Sequence, residues 1–82
     1  MNEAQITEKV IALITPYVKN AGALKNIDKS TSILDDLGVN SARLVDIVLA
    51  FEDEFDIEVS DDAADSIATI GDAVDLIGKQ IG

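Results

Sequence analysis

The sequence predicts an all-α protein, a small four-helix bundle of three longer helices and one short helix, with a long loop between helices one and two. Three observations predict it. Apolar residues recur at spacings of three, four and seven near residues 3–18, 41–55 and 69–81, the period of a single helix face. No stretch sustains the period-2 alternation of a strand, and there is no internal repeat or low-complexity tract. The chain is also short and aliphatic: of 82 residues 48% are hydrophobic but only 4% aromatic. Its core must be built from Ile, Val, Leu and Ala with Tyr17, Phe51 and Phe55. A chain of this length is read as one domain over residues 1–82. Such a domain buries roughly 60–65% of its unfolded surface, which leaves little bulk for a deep preformed pocket.

In "EAQITEKVIALITPYVKN", Ile6, Val10, Leu13, Ile14, Tyr17 and Val18 form one stripe. Asn2 suits the cap, with Gln5 at the third helical position able to reach back. Pro16 has no N–H for the carbonyl of Ala12 and disfavours helix at Thr15. Because Tyr17 and Val18 stay on the stripe, the expectation is a kink rather than an end. Residues 20–40 show no sustained period and read as a long connection. A connection of that length is functional or hides an element, and Ile27, Ile33, Leu34 and Leu37 are its candidate anchors, with a short turn near Asp35.

From Ser41 to Phe55 two apolar stripes run side by side. Leu44, Val48, Phe51 and Phe55 form one; Ala42, Val45 and Leu49 form the other, edged by Asp46, Glu52 and Asp53. One stripe faces the core. The other either packs under the long loop or remains a contact surface for a partner bringing lysine or arginine and an apolar socket. After "DIEVS", Ser60 suits the cap of a short helix with Asp61 and Asp62 in its first turn. Thr69 suits the cap of the last helix, with Asp72 three residues on and Ala73, Val74, Ile77 and Ile81 on its apolar side.

Composition closes off most chemistry. The chain has no Cys and no His, which excludes disulfides, thiolate or imidazole metal sites and any nucleophile built on cysteine or paired with histidine. The opening "MNEAQITEKV" lacks the basic start and apolar run of a signal peptide, and no stretch approaches the ~20 apolar residues of a membrane span. The chain is therefore read as complete, soluble and cytoplasmic. Its net charge of −10 is unevenly placed: between residues 33 and 67 eleven acids stand against Arg43 alone. That field repels nucleic acid and anionic lipid and draws in proteins with basic surfaces. The plainer reading of the same field is a solvated face that aids solubility.

Ser41 follows the turn "LDDLGVN" at the mouth of the second helix. As a nucleophile it lacks a base, since carboxylates with an ordinary pKa near ~4 remove a proton from an alcohol poorly. "DIEVSDDAADSI" resembles a calcium loop in phase, but its sixth place is Asp61 instead of glycine and its twelfth is Ile67 instead of glutamate, so no metal site is assigned. Ser41 is then either a helix cap or, if Asn40 caps instead, a serine pointing to solvent.

"DDLGVNSARLVDIVLAFEDEFDIEVSDD" resembles the central segment of acyl carrier proteins, where a D-L-G-x-D-S-L motif leads into an acidic helix closing in E-E-E-F. Asp36, Leu37, Gly38, Ser41, Val45, Asp46, "FEDEF" from Phe51 to Phe55, and Ile67 fall at the family's spacing without a gap. The resemblance implies that Ser41 carries a 4'-phosphopantetheine arm, attached by a phosphopantetheinyl transferase. It implies a monomeric, non-catalytic carrier that holds an acyl group as a thioester for enzymes of fatty-acid, lipid or polyketide type synthesis. Those enzymes would dock through Asn40, Ala42, Val45, Asp46, Leu49, Glu52 and Asp53. Three residues depart from the family pattern: Asn40 replaces an aspartate, Ala42 a leucine and Arg43 an acid. These departures bear on which transferase recognises the chain and argue for a specialised carrier. The alternative is an unmodified acidic helical adaptor that kept the fold and lost the arm.

Overall fold

The computed structural model describes residues 2–81, with position 21 described in its backbone alone. Four α-helices follow in order: α1 Glu3–Ile14, α2 Leu44–Phe55, the short α3 Asp61–Asp65 and α4 Ile70–Ile81. Among the described residues the only β pairing is a single bridge, Ser32 to Thr69, so the all-α expectation holds.

The helix starts follow their caps. Asn2 Oδ1 accepts from the Gln5 N–H at 2.9 Å, and Gln5 Oε1 accepts from the Asn2 N–H at 3.0 Å, a reciprocal box that satisfies two donors the helix itself leaves open. Ser60 Oγ accepts from the Ala63 N–H to start α3. At α4, Thr69 Oγ1 accepts from the Asp72 N–H, while Asp72 Oδ2 accepts from the N–H groups of Thr69 and Ala68.

Pro16 ends the α-helix instead of kinking it. Thr15 still donates its N–H to the Ile11 carbonyl, but the next turn has no amide hydrogen at Pro16, and Thr15–Tyr17 tightens into one 3₁₀ turn closed by Val18 N–H to Thr15 O at 3.2 Å. Tyr17 and Val18 nevertheless pack partly buried against the core, which explains why they continue the apolar stripe.

The long connection contains an element that periodicity does not reveal, a 3₁₀ helix over Ala21–Asn26. Beyond it the chain is held at three places. Asp28 Oδ1 accepts from the N–H and hydroxyl of Ser30 and from the Thr31 hydroxyl. Those bonds, Ser30's first, hold its carboxyl below the usual aspartate range. The segment then pairs with the start of α4 through Ile33 N–H to Ala68 O and Ile70 N–H to Thr31 O, each 3.0 Å. Gly71 permits this approach, because a Cβ there would lie 2.9 Å from the Lys29 carbonyl oxygen. Finally a turn near Asp35, with Ser32 N–H donating to Asp36 Oδ2 at 2.7 Å, drives Ile33 and Leu37 fully into the core. Ile27 and Leu34 stay half-buried. Gly38, at φ 70, turns the chain back against Lys19 and Asn20.

The core is aliphatic around Phe51. Ile6, Val10 and Ile14 of α1 meet Ile70, Ala73, Val74 and Ile77 of α4, and α2 adds Ile47, Val48, Phe51 and Phe55. α1 packs most extensively on α4 and also on α2. Ile47 is fully buried although it lies on neither predicted stripe of α2, while Leu44 and Ile81 are only half-buried. α2 stops where Asp56 enters the left-handed region at φ 53, a conformation that aspartate tolerates better than most residues.

Candidate functional site

The chain enters α2 through a 3₁₀ turn, Ser41–Arg43, and Asn40 caps it. Asn40 is extended at φ −67, ψ 131, so its Oδ1 reaches forward to accept from the Ala42 N–H at 2.9 Å, while its carbonyl accepts from the Arg43 N–H at 2.8 Å. Of the two residues able to cap, the 3₁₀ turn uses Asn40, α2 proper starts after Arg43 with no side-chain cap, and the reading of Ser41 as the cap gives way. Ser41 sits one residue inside the turn, exposed, and its hydroxyl makes no hydrogen bond among the described residues.

The second stripe of α2 is open to solvent. Val45 is 65% exposed and Leu49 54%, the only large hydrophobic residues so exposed among those described, and Ala42 is exposed beside them. Packing of Val45 and Leu49 under the long loop is therefore excluded. The loop's own anchors, Ile33 and Leu37, go to the other side of the helix and fill the core there. The spacing of Ala42, Val45, Asp46, Leu49 and Asp53 keeps them on one helix face, so Ser41 stands at the head of an apolar strip with carboxylates alongside.

The acids of this region differ in what holds them. Asp46 Oδ2 pairs with the Arg43 guanidinium at 3.2 Å. Glu52 is half-buried and its Oε2 accepts from the Val59 N–H at 3.2 Å, tying down the turn after α2. Glu54 pairs with Lys9 of α1 at 3.3 Å. Asp53 is exposed and makes neither an ion pair nor a side-chain hydrogen bond among the described residues. Arg43, a departure from the family pattern that puts a positive charge on this face, is tied to Asp46 at the i,i+3 spacing.

A phosphodiester on Ser41 would fit these surroundings. The hydroxyl is unhindered and not needed by the backbone, and the start of a helix favours an anion through its dipole. No described helix is long and apolar enough to cross a membrane.

The comparisons with known proteins bear on the family and the fold. The family model described as "Phosphopantetheine attachment site" matches residues 17–77. The acyl carrier protein of Phenylobacterium zucineum (strain HLK1) is 48% identical over 58 residues, which span 71% of this chain and 73% of that relative. The acyl carrier protein of Rhizobium meliloti (strain 1021) is 51% identical over 55 residues, 67% of this chain and 70% of the relative. Among solved structures, the acyl carrier protein from Enterococcus faecalis superposes with a TM-score of 0.80 at 32% identity, covering 98% of this chain and 99% of that one. The chain thus belongs to the acyl carrier proteins, carriers and not enzymes, whose attachment domain holds 4'-phosphopantetheine covalently.

Proposed function

We propose that Ser41 is the attachment point of the 4'-phosphopantetheine arm and that residues 1–82 work as one monomeric carrier domain. When bound, the arm offers a terminal thiol on which an acyl group is held as a thioester. The chain's own part is to present that arm and to be recognised. Asn40 takes over the capping of the turn, so the Ser41 hydroxyl stays available to a transferase; this is the observation that carries the reading. Ala42, Val45 and Leu49 supply an apolar strip of the kind that seats in a partner's socket, and Asp46, Glu52 and Asp53 set its charge. The absence of Cys leaves the chain without a thiol of its own to compete for the acyl group. The contact between α1 and α4, from opposite ends of the sequence, supports the single-domain reading. Enzymes of fatty-acid, lipid or polyketide type synthesis are the partners this surface suits.

Incubation with coenzyme A and a phosphopantetheinyl transferase should add one phosphopantetheine unit to the intact mass. Ser41→Ala should abolish the gain and leave the helical circular dichroism spectrum unchanged. An unchanged gain in Ser41→Ala would place the arm elsewhere, and no gain in the native protein would favour the unmodified adaptor.

A further inference from the structure

We infer that Arg43 changes partners when the arm is attached: in the bare chain it holds Asp46, and once a phosphodiester stands on Ser41 the guanidinium turns back to it and releases Asp46. The inference rests on Ser41 being the attachment point. Arg43 is the only arginine of the chain and the single cation among residues 33–67. It meets Asp46 through one bond, Nη1 to Oδ2 at 3.2 Å, with the two side chains 64% and 43% exposed. An exposed pair of this kind contributes little to stability, so the fold loses little when it opens. In the bare chain the two charges cancel, and nothing at the head of α2 recruits an anion from solution. The phosphodiester needs no recruiting, because its bond to Ser41 sets it two residues from Arg43.

Charge, donor geometry and direction all favour the exchange. The arm adds a full negative charge where Asp35 and Asp36 already precede Ser41 and Asp46 follows it, and Arg43 is the cation of that segment. A guanidinium carries five donors in a planar fork that fits two phosphate oxygens at once, whereas Asp46 engages it through a single nitrogen. The residue between Ser41 and Arg43 is Ala42, exposed and no larger than a methyl group, so no side chain stands in the way. Asp46 lies one turn ahead of Arg43, while Ser41 lies two residues behind it in a 3₁₀ turn, off that face. The side chain therefore serves one anion or the other. Arm attachment is thereby registered on the exposed face of α2: Asp46 is neutralised before loading and free after it, so a partner meets a different surface in the bare and the loaded carrier.

As the only arginine, Arg43 supplies the one side-chain Nε–H signal of its kind in nitrogen-15 NMR, so its partner can be followed directly. The signal is recorded for the native protein and Asp46→Asn, each bare and loaded from coenzyme A by a phosphopantetheinyl transferase, with complete loading checked by intact mass. Asp46→Asn should shift the signal in the bare protein and leave it unmoved in the loaded one, where Arg43 has already left position 46. The phosphorus-31 signal of the arm should move in Arg43→Gln. It should stay in place in Lys19→Gln, which removes the cation whose backbone N–H is bonded to the Leu37 carbonyl in the turn before Ser41. A shift of equal size on Asp46→Asn in bare and loaded protein overturns the inference, since Arg43 would then hold Asp46 throughout. A phosphorus signal that ignores Arg43→Gln, or that follows Lys19→Gln instead, overturns it as well. Both outcomes leave Ser41 as the attachment point, whereas a native protein that gains no mass sinks both readings.

Discussion

Asn40 and Ser41 divide two tasks that one residue performs in many helices. The amide oxygen of Asn40 satisfies the Ala42 N–H, and the hydroxyl of Ser41 is left without a structural duty. Removing the first task should therefore disturb the second. Asn40→Ala should cost about 0.5–2 kcal/mol in denaturant unfolding, and it leaves Ser41 as the nearest cap-competent side chain, so arm loading should slow as the hydroxyl turns toward the backbone. Asn40→Asp keeps an oxygen in the same place and adds a negative charge where the dipole favours it; stability should be retained. If Asn40→Ala loads as fast as the native protein despite the loss of stability, the capping bond does not govern the availability of Ser41. The sequence narrowed the cap to these two neighbours but could not choose between them. The choice depends on which residue is extended and which has entered the turn, and that is set by how the preceding loop arrives.

α2 buries one side in the core and leaves open to solvent the other, which we propose for recognition, and the two sides should respond differently to mutation. Phe51 is fully buried at the centre of the core, so Phe51→Ala should cost about 3–5 kcal/mol. Replacing the exposed Val45 and Leu49 by serine should change stability by only about 0.5 kcal/mol each, yet weaken docking of acyl-handling enzymes by about tenfold or more, because apolar anchors dominate such contacts. Calorimetry of both variants beside a steady-state assay with one partner enzyme separates the effects; a large loss of stability in the serine variants would show that the strip serves the core. Much of the split between buried and exposed sides was legible beforehand. The reciprocal caps at Asn2 and Gln5 and at Thr69 and Asp72 lie within three residues of each other, as does the Ser60 cap, and helix period alone separated Val48 and Phe51 from Val45 and Leu49. What escaped is what depends on distant chain. Ile47 is buried because the core reaches around α2 farther than a single stripe. The 3₁₀ helix over Ala21–Asn26 has no period to show. Glu52 is partly withdrawn from solvent because the turn at Asp56 returns the Val59 N–H to it.

At the scale of the molecule, one quantity governs both folding and encounter: the charge of −10, all of it within residues 33–67. Among the described residues only two ion pairs involve that segment, Lys9 with Glu54 and Arg43 with Asp46, and both are exposed, where such pairs contribute little. Self-repulsion among the acids therefore opposes the compact state, and screening should relieve it. In the function we propose, the same field draws partner enzymes with basic surfaces, and screening should weaken that attraction. Added sodium chloride should move the two observables in opposite directions. The thermal midpoint should rise between low salt and ~0.3 M, where the screening length contracts well below 10 Å. Over the same range the association rate with a basic acyl-handling enzyme should fall by about tenfold or more. Stopped-flow binding and a melting curve on the same samples check both halves. A rate that holds steady while the midpoint rises would mean that the acids burden the fold without guiding the partner, and that the exposed apolar strip of α2 alone brings the enzymes to the arm.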